Sequence, residues 1–336
     1  MAVGFKTATV RSADVPATQT DFPSYVDLDR LGITTLAEAQ SVRVYADSGK
    51  TTEWAREIVS LTEMHVKVPS LTSTVKIYVD WDGVRADYGV GATYGRNAVW
   101  TGFEAVYHGD STADSTGNGY TLTNNNSVPY NDGKLGKSFD GGTTNTNKSM
   151  SITSAFGMTG ASAKTFTLWT KQNVALTSDQ SDIYFRHLYG GSANGNYANV
   201  GYRNNGGTLQ ATMPTSPGGM YVDYTFTVDE WFYQRVTVPA SNSGNIALFT
   251  NAVSVGTTAN WSQNYGLTTT LGILADHGPG DHSPVSVDEF RIMSGIQTDN
   301  WTTTEYNNQN AESTFWGTWT DAGGSPSPIA HILQMI

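Results

Sequence analysis

The feature that most narrows what this chain can fold into is the brevity of its apolar runs. Stretches of β-branched, aromatic and aliphatic residues recur at 103–108, 165–171, 183–188, 231–238, 245–250, 271–275 and 285–292. Turn-forming clusters such as Asn204-Asn205-Gly206-Gly207 and Asn242-Ser243-Gly244-Asn245 break them apart. Many short strands at modest spacing predict a sandwich or jelly roll, because stacking or closing sheets hides their edges. Upstream, Val42 and Val44 alternate with Arg43 and Tyr45, and Val75, Ile77 and Val79 alternate with Lys76, Tyr78 and Asp80. That period of two is the mark of a half-buried strand with one wet face. Asp47-Ser48-Gly49 and Asp82-Gly83 supply turns after these strands. Only short helices are expected, over 35–40 and 298–307.

Composition agrees with strands and narrows the chemistry. The 336 residues include 35 Gly, 17 Tyr and 9 Trp but only 15% charged side chains, a mixture suited to strands, turns and polar loops. Such a length predicts about two domains. Lys and Arg number 19 against 30 Asp and Glu, for a net charge of −11, and the basic residues are not clustered. Neither nucleic-acid phosphates nor anionic lipid are expected partners. The absence of cysteine removes disulfides, thiolate metal sites and cysteine nucleophiles together. No window approaches the roughly 18 apolar residues of a membrane span, and residues 1–7 do not read as a signal peptide. The protein is therefore expected to be made in a cytoplasm and to leave it, if at all, by a route such as lysis.

The later block carries an ordered set of motifs. They are Ala105-Val106-Tyr107-His108, then Asp114-Ser115-Thr116-Gly117-Asn118-Gly119, Gly136-Lys137-Ser138-Phe139-Asp140-Gly141 and Phe166-Thr167-Leu168-Trp169. Trp231-Phe232-Tyr233-Gln234-Arg235-Val236, Ile246-Ala247-Leu248-Phe249-Thr250-Asn251 and Val287-Asp288-Glu289-Phe290-Arg291-Ile292 follow, with Trp301 and Tyr306 after them. In this order they resemble the laminin-G-like domains of the concanavalin-A-like jelly-roll class. The earlier block resembles an uncharacterised β domain that precedes such jelly rolls in phage and bacterial surface proteins. It does so through Asp21-Phe22-Pro23, residues 42–49, residues 53–58 and Val66-Lys67-Val68-Pro69. The expected architecture is all-β: a small N-terminal β-sandwich followed by a concanavalin-A-like (laminin-G-like) jelly roll. Residues 1–92 form the first domain, for attachment or assembly, and 93–97 the linker. Residues 98–319 form the jelly roll, and 320–336 a flexible or partner-docking tail.

The resemblance implies a structural calcium ion, with Asp288 as the carboxylate ligand and Asp110, Asp114 and carbonyls of residues 117–119 as partners. Calcium takes six to eight hard oxygens, which a polar turn and an acidic strand can supply. The residues add an observation of their own. Val285 and Val287 share one parity and Phe290 and Ile292 the other. A buried strand achieves that only through a slip, so a β-bulge is predicted near Asp288-Glu289. A salt bridge from Asp288 to Arg291 or Arg235 is the plainer alternative.

Jelly rolls of this class stack sugar rings on aromatic side chains and bond the hydroxyls with amides and carboxylates. Tyr184, His187, Tyr189, Tyr197, Tyr202 and Arg203 fall in one strand–loop–strand stretch, and Trp261, Tyr265 and His282 in loops able to rim it. Edge or core tyrosines are the competing reading. Catalysis has little support. Glycosidases of this fold carry paired carboxylates in a Glu-x-Asp-x-x-Glu strand, which does not occur here, and adjacent Asp288 and Glu289 point to opposite faces. His277 and His282 share a Gly-Pro loop with no third ligand close in sequence, and neither a Gly-x-Ser-x-Gly elbow nor a phosphate loop occurs. The expected protein is a non-enzymatic bacteriophage virion surface protein, a tail or head accessory, adhering to host-surface glycan. Its expected partners are other virion proteins and copies of itself on the particle, after assembly in the host cytoplasm and release by lysis. A secreted or cell-surface bacterial carbohydrate-binding protein is the alternative, and a glycoside hydrolase comes third.

Overall fold

A computed structural model describes residues 3–144, 147–154, 156, 162–175, 227–240, 245–257, 271–274 and 284–323, with the backbone of 181–189, 197–205, 208–213, 220–223 and 269–270. The architecture is all-β, as the short alternating runs predict. The chain forms two compact units. One comprises Met1–Val99 with Thr303–Ile336, the other Trp100–Thr302.

In the first unit, a five-stranded antiparallel sheet runs in the order Thr320–Asp321, Gly4–Thr9, Lys76–Trp81, Arg43–Tyr45, Glu53–Trp54. The predicted alternation sets its core, with Ile77, Val79 and Trp81 buried between the wetter Lys76, Tyr78 and Asp80. A second sheet joins Gln19–Asp27, Glu63–Leu71 and Arg56–Ile58, also antiparallel. The helix expected at 35–40 is present as Leu36–Gln40. Its start is fixed by a capping box in which the Thr35 hydroxyl accepts from Glu38 N–H and the Glu38 carboxylate accepts from Thr35 N–H.

Two boundaries differ from expectation. Residues 93–97, expected as a linker, belong to the first unit. Two buried arginines account for this. The Arg43 guanidinium lies 3.9 Å from the Tyr88 ring centroid and donates to Ala86 O, while Arg56 pairs with Asp87 and its backbone N–H donates to Tyr94 O. The second difference is at the C-terminal side, where the later unit closes at 302, not 319. Residues 303–323 complete the first unit. The side-chain amide of Asn308 both accepts from Tyr25 N–H (2.6 Å) and donates to Tyr25 O (3.0 Å), acting as a strand partner for the chain at Tyr25. The Trp316 indole N–H donates to the same carbonyl.

Arg30 binds Glu312 at 2.5 Å and donates to Gly317 O. Burial pushes the Glu312 carboxyl up to about 7, with the negative charge of Asp27 adding to the rise; Arg30 opposes both. Because this folded value lies above the ordinary 4.5, the contribution of Glu312 to stability is complete below about pH 4.5 and is lost as pH rises through about 7. Glu312→Gln is expected to flatten that slope. Urea titrations of both proteins from pH 4 to 8 would then diverge by up to about 3 kcal/mol, and parallel curves would refute the assignment.

The second unit is a two-sheet sandwich. One sheet runs Tyr130–Asp132, Lys137–Asp140, Val285–Ser294, Lys164–Gln172, Trp231–Val238, Ala247–Thr250, Val253–Thr257, with Phe103–Tyr107 also paired to Val285–Ser294. The other runs Met220–Asp223, Thr208–Met213, Tyr197–Asn205, Ser181–Tyr189, Thr269–Ile273, Ser149–Thr153, Thr123–Asn125. A single cluster fills the space between them: Phe139, Phe166, Leu168, Val236, Leu248, Val287, Phe290 and Ile292 from the first sheet meet Met150, Leu271 and Ile273 from the second. Aromatic and aliphatic side chains at this density supply the hydrophobic drive that holds the two sheets together.

Candidate functional site

The strand Val285–Ser294 organises the polar chemistry of the second unit. Along one edge it exchanges partners: Ser286 and Val287 pair with Lys137–Asp140, whereas residues 290–293 pair with Phe103–Tyr107. At the changeover the strand bulges. Thr167 stands opposite Arg291 and Trp169 opposite Asp288, so Leu168 alone faces both Glu289 and Phe290. The predicted slip in parity is this bulge. Glu289 takes φ of +52°, a left-handed conformation that side chains bearing a Cβ rarely adopt.

The strain is offset by what the Glu289 carboxylate reaches. One oxygen lies 2.5 Å from His108 Nδ1, and the other accepts from Arg291 Nε at 3.1 Å and from Arg291 Nη2. The Arg291 guanidinium is 4.9 Å from the Trp100 ring centroid, and Trp100 in turn packs against His108. All four residues are buried. In a low-dielectric interior, removing either partner of such a network would leave an uncompensated charge. The bulge falls at the predicted Asp288-Glu289 pair. Glu289 holds the strained position.

The expected calcium ligands have separate partners. Asp114 is buried and its four lone-pair positions are taken by donors: Val106 N–H and Thr116 N–H on one oxygen, the Thr116 hydroxyl and Tyr120 N–H on the other. It ties its own loop to the neighbouring strand. Asp110 is exposed and accepts from the Ser111 hydroxyl. Asp288, 1% exposed, accepts from Lys134 N–H at 2.7 Å and Leu135 N–H at 3.0 Å, both in the turn between Tyr130–Asp132 and Lys137–Asp140. Amide protons and a cation compete for the same lone pairs. Asp114, with all four positions taken, does not fit the oxygen cage that calcium requires.

The expected sugar-binding residues sit on adjacent strands of the seven-stranded sheet. Tyr184, His187 and Tyr189 belong to Ser181–Tyr189, and Tyr197, Tyr202 and Arg203 to Tyr197–Asn205. The two strands are antiparallel, with Asp182 opposite Tyr202 and Ser181 opposite Arg203, and the register shifts between Ile183 and Phe185, at Tyr184. Trp261, Tyr265, His277 and His282 lie outside the described residues.

No protein-family model matches the sequence. No curated protein matches it either. Among solved structures, the chain is similar to domain 4 of AbnA, a GH43 extracellular arabinanase of Geobacillus stearothermophilus in complex with arabinotriose. The identity is 18% and the TM-score 0.47, over 61% of this chain and 97% of that one. It is also similar to the binding domain of botulinum neurotoxin serotype G, with 14% identity, a TM-score of 0.47 and 64% of this chain aligned. The serotype D ligand-binding domain in complex with N-acetylneuraminic acid has 13% identity and a TM-score of 0.47 over 62% of this chain. The alignments span about half of those neurotoxin domains, 54% and 51%.

Proposed function

We propose that this chain is a non-enzymatic carbohydrate-binding protein whose jelly roll contacts host-surface glycan from the surface of a bacteriophage particle. The observation that supports glycan binding is the pairing of Ser181–Tyr189 with Tyr197–Asn205. It brings Tyr184, His187, Tyr189, Tyr202 and Arg203, far denser in aromatics than most of the chain, onto two neighbouring strands of one sheet. Sugar rings stack on aromatic faces, and a guanidinium binds an acidic sugar's carboxylate with two parallel hydrogen bonds. The absence of cysteine suits assembly in a reducing host cytoplasm before release by lysis. Other virion proteins would hold the remainder of the chain on the particle, as a homo-oligomer.

A glycan array probed with the full chain tests the binding. The wild-type protein is expected to select a small set of glycans, with Tyr202→Ala lowering affinity at least about tenfold, equivalent to about 1.4 kcal/mol. An array with no selective signal refutes glycan binding. The particle location has a separate test: the chain should co-sediment with intact virions in fixed copy number. Recovery only as free protein would instead favour a secreted bacterial carbohydrate-binding protein.

A further inference from the structure

We infer that Lys134 brings to Asp288, from within the chain, the positive charge that a calcium ion would otherwise supply, so that this jelly roll folds independently of calcium. Asp288 lies in mid-strand and is buried, where an uncompensated carboxylate would be strongly unfavourable. The hairpin tip at residues 133–136 closes over it. Gly133 N–H donates to Gly136 O across the turn, and the amides of Lys134 and Leu135 both donate to Asp288 Oδ2. The approach is tight enough to demand glycine: a Cβ on residue 133 would lie 2.5 Å from Asp288 Oδ2 and 2.7 Å from Lys137 O.

The same tip delivers a cation. The Lys134 ammonium lies 4.7 Å from the ring centroid of Trp169, and Trp169 is the residue paired directly with Asp288 across the sheet. An ammonium over a buried indole gains from the ring, and the cross-strand neighbour of that indole is Asp288. Burial lowers the Lys134 pKa and the Asp288 charge acts against that fall. Two backbone amides thus hold Asp288 Oδ2, and the same hairpin tip carries the ammonium assigned to balance its charge. A lysine on a four-residue hairpin tip is present at a fixed effective concentration and cannot be removed by a chelator.

Thermal unfolding of the full chain in EDTA and in millimolar calcium chloride tests the inference, and it does not depend on glycan binding. The expected result is one melting midpoint in both conditions. Lys134→Met, which keeps the stem and removes the charge, is expected to lower the midpoint by roughly 2–4 °C, equally in both conditions, whereas Lys134→Arg restores most of the loss. Tryptophan-sensitised terbium luminescence gives a second readout, with no signal dependent on Asp288 expected. A calcium-induced rise in the wild-type midpoint, a terbium signal abolished by Asp288→Asn, or a Lys134→Met midpoint equal to wild type would each overturn it.

Discussion

Trp316→Ala should destabilise the first unit by about 3–5 kcal/mol, a large share of the roughly 5–15 kcal/mol that holds a domain folded. Trp316 is fully buried and meets Phe315 edge to face, with ring centroids 5.5 Å apart. Its indole N–H donates to Tyr25 O, which also accepts from Asn308. Truncation therefore opens a cavity too large for neighbouring side chains to close, and it strips one hydrogen bond from a buried carbonyl. Urea unfolding followed by circular dichroism, combined with proteolysis mapped to residues 1–99, measures the loss. A change below about 1 kcal/mol would show that the C-terminal segment decorates the first unit without completing its core. The half-buried Trp319 provides an internal comparison, and its replacement by alanine should have a smaller effect.

Glu289→Ala is expected to destabilise the second unit by a similar amount, about 3–5 kcal/mol, because removing one member of a buried ion pair leaves its partner's charge uncompensated. Arg291 would keep its place over Trp100 but lose the carboxylate that neutralises it. His108 would lose the acceptor at its Nδ1. Backbone strain can be separated from charge. Glu289→Gly removes the same carboxylate but relaxes the φ of +52°, so it should be less destabilised than the alanine variant by about 1 kcal/mol. If alanine and glycine are equally stable, the bulge stores no strain; if alanine unfolds like wild type, the buried network is not what stabilises the strand.

The fold was legible in the sequence where period and punctuation were strong. Alternation over Lys76–Trp81, the short helix expected over 35–40 and the parity slip at residues 287–290 each correspond to an observed strand, helix or bulge. What stayed hidden depended on distant partners. Lys134 is an ordinary loop lysine until the hairpin folds over Asp288, and no local pattern announces that. Asp114 looked like a metal ligand because an acidic, Gly-rich turn fits calcium as well as it fits a carboxylate that binds its own amides. The return of residues 303–323 to the first unit was hidden for the same reason. Asn308 contacts Tyr25 across 283 positions of chain, beyond the reach of any periodicity.

That return has a consequence for how the protein is made. On the ribosome the chain emerges vectorially, and all of residues 100–302 are available to collapse before Asn308 and Trp316 appear. The sandwich can finish while the first 99 residues still lack their closing pieces, so the domain that begins the polypeptide is the last to mature. A released chain ending between residues 302 and 316 should therefore hold a protease-resistant sandwich joined to a protease-sensitive N-terminal segment. Premature termination there would yield a nascent product with one finished domain and one permanently open.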